Sequence, residues 1–343
     1  MENMPFIVQQ LISLVGANED LKNALEASIE AAEVPDVKTL DQFYDFVASM
    51  LTKIPTQREM DPASSEFFFL LNRSPDNFLR EDPAFNKWVN DYTNEWGNFL
   101  NTPESAKCLD TFITNPQYNI ADYDKGPSGW LTFNQFFTRK VKPGKRPVAE
   151  LCNNGVIVST TDSVHQGCWP INDGALIKAK GVTYSIAELM SGSVYQEKFK
   201  EGVFTHSYLN INDYHRFHVP VGGVIKEVRT IPGKLMLDVV KKEDGTFEAE
   251  DGVGFQLTQT RGMIVIESSV GFVAVLAVGM GHVSSVNITV DEGTSLVKGE
   301  EFGYFAFGGS DMVMLFEANK VEFTAKEGTH YKQGEEIGRA IKG

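Results

Sequence analysis

The sequence predicts an α+β protein, with an acidic helical domain over residues 1–125 followed by a mainly antiparallel β domain over residues 126–343. Three observations carry that prediction. Residues 1–125 hold 9 Lys/Arg against 21 Asp/Glu, a net charge of −12, which leaves −3 for residues 126–343. Apolar residues recur every three or four positions in the first part and in short β-branched and aromatic runs in the second. Where the two textures meet, DYDKGPSGW (122–130) gathers Gly126, Pro127, Ser128 and Gly129, all breakers of regular structure.

In the first part, LKNALEASIEAAEV, TLDQFYDFVASMLTKI and FNKWVNDYTNEWGNFL keep helical spacing, and Asp41 stands near a helix start. Beyond the boundary, NGVIVST, GGVIKEVRTI, GMIVIES, GFVAVLAVG and MVMLFEA read as strands between glycine-rich turns. DEGTSLVKGEEFG (291–303) and KEGTHYKQGEEIG (326–338) share seven of thirteen positions at an offset of 35 residues. This repeat reads as a duplicated β-hairpin, with Gly293 and Gly328 in turns of positive φ and Gly299 and Gly334 opening the next strand.

Composition narrows the function classes. The 343 residues are 42% hydrophobic and include 24 Phe, enough apolar surface for two ordinary domains without disulfide staples. Cys108, Cys152 and Cys168 form no CxxC pair, and the odd count fits a reducing, cytoplasmic compartment. A net charge of −15 opposes binding to nucleic-acid phosphates and anionic lipid. The opening MENMPFIVQQLISLVG has no basic lead, and Gln9 and Gln10 interrupt its apolar run, so neither export nor stable membrane insertion is expected.

Three places hold candidate chemistry. Gly308-Gly309-Ser310 has the composition of an ordinary turn, but it lies between two strand-like runs, FGYFAF and MVMLFE. That setting puts a permissive backbone and a hydroxyl in a region expected to be buried. Histidine is scarce, at six residues, and His215 and His218 stand three apart in DYHRFHVP. Such a pair serves packing, acid–base work or metal binding; metal is the weakest reading, because no HExxH pattern and no Cys cluster accompanies it. Asp162, in VIVSTTDSVHQG, follows a strand and precedes a turn, where a carboxylate often only accepts local backbone hydrogen bonds. Yet one Asp, one His and one Ser make up the set that turns a hydroxyl into a nucleophile. Spacing alone does not bring them together.

FNQFFTRKVKPGKRPV (133–148), DYHRFHVPVGGVI (213–225), IPGKL (231–235) and KGEEFGYFAFGGS (298–310) resemble, in this order, motifs of the phosphatidylserine decarboxylase family. The resemblance implies a β domain of that family's type. It puts Ser310 at the serine of the family's LGST self-cleavage motif, with His218 as activating base and Asp162 as its partner. The chain would cut itself between Gly309 and Ser310, giving residues 1–309 and 310–343, and Ser310 would become a pyruvoyl group. No metal and no pyridoxal phosphate is implied. Losing CO₂ from an amino acid leaves a carbanion, and a carbonyl electron sink of this kind delocalises it. By the same resemblance His215 handles the substrate carboxylate or reprotonates the carbanion, Tyr214 lines the pocket, and the enzyme is a homodimer.

The motif here is GGSD: Gly308 stands for Leu and Asp311 for Thr, which places both at the substrate. The GGS form and the acidic helical extension resemble a branch of the family acting on free amino acids, among them a fungal tryptophan decarboxylase. A −12 domain is also repelled by an anionic leaflet, which attracts basic segments by about 1 kcal/mol per positive residue. The expected reaction is therefore decarboxylation of a free L-amino acid, aromatic and tryptophan-like, to the amine and CO₂. The alternatives are a phosphatidylserine decarboxylase forming phosphatidylethanolamine, and an uncut, non-enzymatic binding protein in which GGSD is only a turn.

Overall fold

The computed structural model describes residues 4–58, 60–172, 176–179, 182–233, 239–249, 259–280, 286–307 and 309–341. Gly308, expected at the substrate, lies outside them, as do Lys234 and Leu235 of the IPGKL run.

The α+β architecture is borne out. Helices Phe6–Ala17, Glu19–Ala32, Leu40–Met50, Met60–Leu71 and Pro83–Phe99 come first, and strands dominate from Val156 onward. Local chemistry sets the helix starts. Asn18 accepts from the Leu21 N–H, Thr39 from the Gln42 N–H, and Asp82 from the Phe85 N–H with Pro83 in the first turn. The start near Asp41 is thus capped by Thr39, while Asp41 supplies first-turn negative charge.

The apolar stripes of these helices meet in one core that includes Leu11, Leu25, Phe43, Phe68 and Tyr92. Two of its buried polar tips reach main-chain carbonyls: Trp88 Nε1 donates to the Ile7 carbonyl at 2.8 Å and Tyr92 Oη to the Val47 carbonyl at 2.8 Å. A short hairpin, Val239–Lys241 with Phe247–Ala249, leaves the β part and joins this core. Phe247 packs on Phe69 with ring centroids 4.8 Å apart, and Arg73 Nη2 donates to the Val239 carbonyl at 2.9 Å.

The main sheet has ten strands among the described residues, and every strand pair recorded is antiparallel. At its centre Gly309–Phe316 lies between Gly271–Met280 and Val203–Leu209. Side chains alternate across this strand. Met312, Met314 and Phe316 enter one core with Phe217, Val219 and Phe305, while Val313 and Leu315 enter another with Ile186, Leu276 and Val278.

The repeat departs from its expected form. Ser295–Leu296 pairs with Gly223–Ile231, Glu301–Phe305 with Arg216–His218, and Glu336–Ala340 with Val156–Val158, so neither copy is a hairpin. Gly299 and Gly334 do not open strands. Like Gly293 and Gly328 they sit in turns, at φ of 83° and 88°, just before the strands that follow.

Helical and β parts meet in an aromatic cluster of Leu100, Phe112, Tyr118, Phe133, Phe136, Phe137 and Phe307. Beside it lies a cavity of about 400 Å³, walled by Asn98 and Asn101 on one side and by Asn134, Thr138, Tyr304 and Phe307 on the other. Among the described residues no helix is long and apolar enough to cross a membrane.

Candidate active site

Ser310 sits near the start of the central strand, opposite Gly279 and Leu209. It is fully buried, and its Oγ has no hydrogen-bond partner. Period-two alternation sends it to the same face as Met312, while Asp311 turns to the other face. Asp311 is equally buried, and its Oδ1 lies 2.8 Å from His206 Nε2. Neighbouring in sequence, Ser310 and Asp311 therefore occupy different surroundings.

His218 ends the strand Arg216–His218 with both ring nitrogens engaged. Nδ1 lies 2.8 Å from the Gly299 carbonyl, and Nε2 lies 3.1 Å from the Tyr214 hydroxyl. A carbonyl can only accept, so Nδ1 carries the hydrogen and Nε2 accepts from Tyr214. Burial lowers the His218 pKa, against an opposing pull from the Gly299 carbonyl, and so favours the neutral ring that a proton acceptor requires. Tyr214 is buried as well, and burial raises its phenol pKa.

The contact expected between Asp162 and His218 is not made. Arg146 grips the carboxylate with a fork, Nε to Oδ1 at 2.8 Å and Nη2 to Oδ2 at 2.5 Å, and the Gln333 N–H donates to Oδ1 at 2.9 Å. A planar guanidinium matches a carboxylate better than an imidazole does, and both side chains are about 5% exposed, so the pair stays together. Asp162 acts on His218 and Tyr214 only through its charge, a small upward pull that burial outweighs at His218 and reinforces at Tyr214, while hydrogen bonds to the Gly299 carbonyl and from the Tyr214 hydroxyl orient the ring.

His215 is fully buried and packs on Phe137, with ring centroids 4.0 Å apart. Its Nδ1 lies 3.0 Å from the Asp213 carbonyl, and its Nε2 has no partner. Burial, helped by the charge of Arg139, pushes its pKa down to about 3. The ring is therefore neutral, with an open acceptor at Nε2; it can take a proton, but cannot donate one to a carboxylate until it has done so.

Several residues at this site were not singled out from the sequence. Asp213 accepts from Asn210 and lies 2.8 Å from His330 Nε2, while its carbonyl takes Arg139 Nη2 at 3.0 Å. His330 gains from that contact: the Asp213 hydrogen bond raises its pKa. Arg146 and Asp213 do lie inside the motifs FNQFFTRKVKPGKRPV and DYHRFHVPVGGVI. Gln333 and His330 lie in the repeat, whose glycine spacing signals turns and not chemistry. Among the described residues no group of three or more His, Cys, Asp or Glu is placed to hold a metal ion.

The family model for phosphatidylserine decarboxylase matches residues 133–339. The chain belongs to the phosphatidylserine decarboxylase family. It is similar to phosphatidylserine decarboxylase proenzyme 2 of Oryza sativa subsp. japonica, 33% identical over 235 residues, covering 67% of this chain and 36% of that protein. To proenzyme 3 of Schizosaccharomyces pombe it is 33% identical over 265 residues, 74% of this chain and 26% of that protein. The chain thus spans about a third of the rice protein and about a quarter of the fission-yeast protein. To the decarboxylase iboD of Amanita muscaria it is 29% identical over 286 residues, 73% of this chain and 82% of that protein.

Family members are pyruvoyl-dependent, and the residues present fit that group. A buried hydroxyl without a partner costs about 1–3 kcal/mol, and Ser310 carries one in the intact chain. Conversion of Ser310 into a pyruvoyl group, with the ketone at its Cα and a methyl in place of the hydroxymethyl side chain, removes the unsatisfied O–H.

Proposed function

We propose that this protein is a self-processing, pyruvoyl-dependent decarboxylase that acts on a free L-amino acid with an aromatic side chain and works in the cytoplasm. The observation carrying the proposal is Ser310: a buried hydroxyl with no partner, preceded by Gly309, at the start of the central strand.

Processing begins when Ser310 Oγ attacks the Gly309 carbonyl, moving that acyl group from the Ser310 nitrogen to its oxygen. Loss of the Ser310 Cα proton then expels the Gly309 carboxylate. Water converts the remaining dehydroalanine to the pyruvoyl ketone and ammonia. His218 Nε2 accepts the hydroxyl proton, which requires Tyr214 to release that nitrogen first, because its single lone pair is occupied in the intact chain.

In the mature enzyme the ketone supplies an electron sink for decarboxylation. His215 presents a neutral acceptor, held by the Asp213 carbonyl, for proton transfer at the substrate. His330 and Gln333 would belong to the short chain, and their partners Asp213 and Asp162 to the long one, so these hydrogen bonds hold the two fragments together.

For the substrate, support comes from the acidic helical part, and the similarity to iboD, named as a decarboxylase without reference to phosphatidylserine, is consistent with it.

Intact-mass measurement of the purified protein tests processing. Two fragments are expected, the shorter blocked by pyruvoyl, and one chain from Ser310→Ala; a single uncut, active wild-type chain refutes the proposal. CO₂ release is then compared across free amino acids and phosphatidylserine vesicles. Turnover of the lipid alone refutes the amino-acid assignment and leaves a phosphatidylserine decarboxylase.

A further inference from the structure

The segment ahead of the scissile bond is tied to the end of helix Pro83–Phe99 by the side chain of Asn134. Asn134, in the short helix Phe133–Phe137, is 7% exposed and uses both ends of its amide. Nδ2 donates to the Gly97 carbonyl at 3.3 Å and to Asn101 Oδ1 at 3.0 Å, at the C-terminal end of helix Pro83–Phe99. Oδ1 accepts the Phe307 N–H at 3.3 Å, two residues before the Gly309 whose carbonyl is attacked. The orientation of the amide is determined: the Gly97 carbonyl can only accept and the Phe307 N–H can only donate, so a flipped amide fails at both. The Asn134 backbone N–H also donates to the Leu100 carbonyl at 3.1 Å, joining the two helix ends directly.

Phe307 is held from its ring as well. The ring is buried against Phe133 and Phe137, with centroids 5.3 Å away in each case, and meets Trp96 of helix Pro83–Phe99 edge-on at 6.4 Å. Main chain and ring are therefore both anchored upstream of a Gly-Gly pair that has no side chains of its own to anchor it. We propose that Asn134 is a positioning residue for self-cleavage, clamping Phe307, two residues ahead of the scissile carbonyl, to the end of helix Pro83–Phe99, so that the helical part takes part in maturation.

This inference rests on the reading of Gly309–Ser310 as the scissile bond. The test follows conversion of newly translated full-length chain into two fragments, with each variant also made in a Ser310→Ala background to measure folding by thermal unfolding. Asn134→Leu fills the same space without hydrogen bonds and should cut about tenfold more slowly or worse, while remaining folded. Asn134→Asp keeps the oxygen facing Phe307 but sets an acceptor against the Gly97 carbonyl, so it should cut faster than Asn134→Leu and more slowly than wild type. Asn101→Ala removes the partner on the helical side and should slow cutting severalfold.

A folded Asn134→Leu chain that cuts at the wild-type rate overturns the proposal, and so does an Asn134→Asp rate as low as that of Asn134→Leu. If Asn134→Leu does not fold, Asn101→Ala decides, and a wild-type rate there overturns it. A wild-type chain that stays uncut instead refutes the processing reading itself, whereas a cut wild type with unaffected variants removes only the role of Asn134.

Discussion

Replacing Gly299 by Ala should damage the base without touching its ring. Gly299 has φ of 83°, and a Cβ there would meet Val148 Cγ2 at 2.5 Å and Cγ1 at 3.2 Å. A left-handed conformation costs an L-residue about 1–2 kcal/mol, and overpacking adds about 1–3, so the chain should lose about 2–5 kcal/mol of stability. Relief of that strain moves the carbonyl that holds His218 Nδ1. Loss of this hydrogen bond frees the ring to change tautomer and to put its hydrogen on Nε2, where it cannot accept one. A loss of about 1–3 kcal/mol of positioning corresponds to a cut about 5-fold to about 150-fold slower. Gly293 supplies the control: its φ is 86°, but nothing lies within 4 Å of a built Cβ, so Gly293→Ala carries only the backbone cost. Stability is read from urea unfolding in a Ser310→Ala background, and processing from the appearance of two fragments in the otherwise unchanged chain. Equal processing rates for Gly299→Ala and Gly293→Ala would refute the reasoning that the Gly299 carbonyl holds the base.

Two further expectations follow from the same hydrogen bonds. Tyr214→Phe leaves His218 Nε2 without its donor, so processing should run at least as fast as in the wild type; slower fragment formation would make the phenol a proton relay instead of a group that must withdraw. The His215 pKa is held at about 3 by burial, below the unfolded value of about 6.5, so the unfolded state binds the extra proton between them. Stability should therefore fall as pH drops through that window, and His215→Leu in a Ser310→Ala background should flatten the decline of the urea midpoint; an unchanged slope would contradict a neutral, buried His215.

The helices were legible because their signals are local. Helical spacing in FNKWVNDYTNEWGNFL, the Asp-Pro at the helix start and the shift to β-branched runs beyond it all act over a few residues. The hairpin that joins the helical core was not legible, since Val239 and Phe247 lie in a strongly charged stretch and find their apolar partners more than 160 residues earlier. The repeat misled for a related reason. Its glycines do mark turns, but the identity of a strand's partner is a property of the whole sheet, and both copies pair elsewhere.

By itself the sequence determined the two textures of the chain, the Gly-Gly-Ser ahead of an apolar strand, and the set of Asp, His and Ser that makes nucleophile chemistry conceivable. Tertiary structure alone decided who holds whom. Asp162 goes to Arg146 and Gln333, 16 and 171 residues away, and His218 goes to Gly299, 81 residues away, and to Tyr214. A carboxylate or an imidazole has several chemically adequate partners in any sequence, and the choice among them depends on distance and angle within a few tenths of an ångström. Those are set by how strands far apart in the chain come to lie side by side.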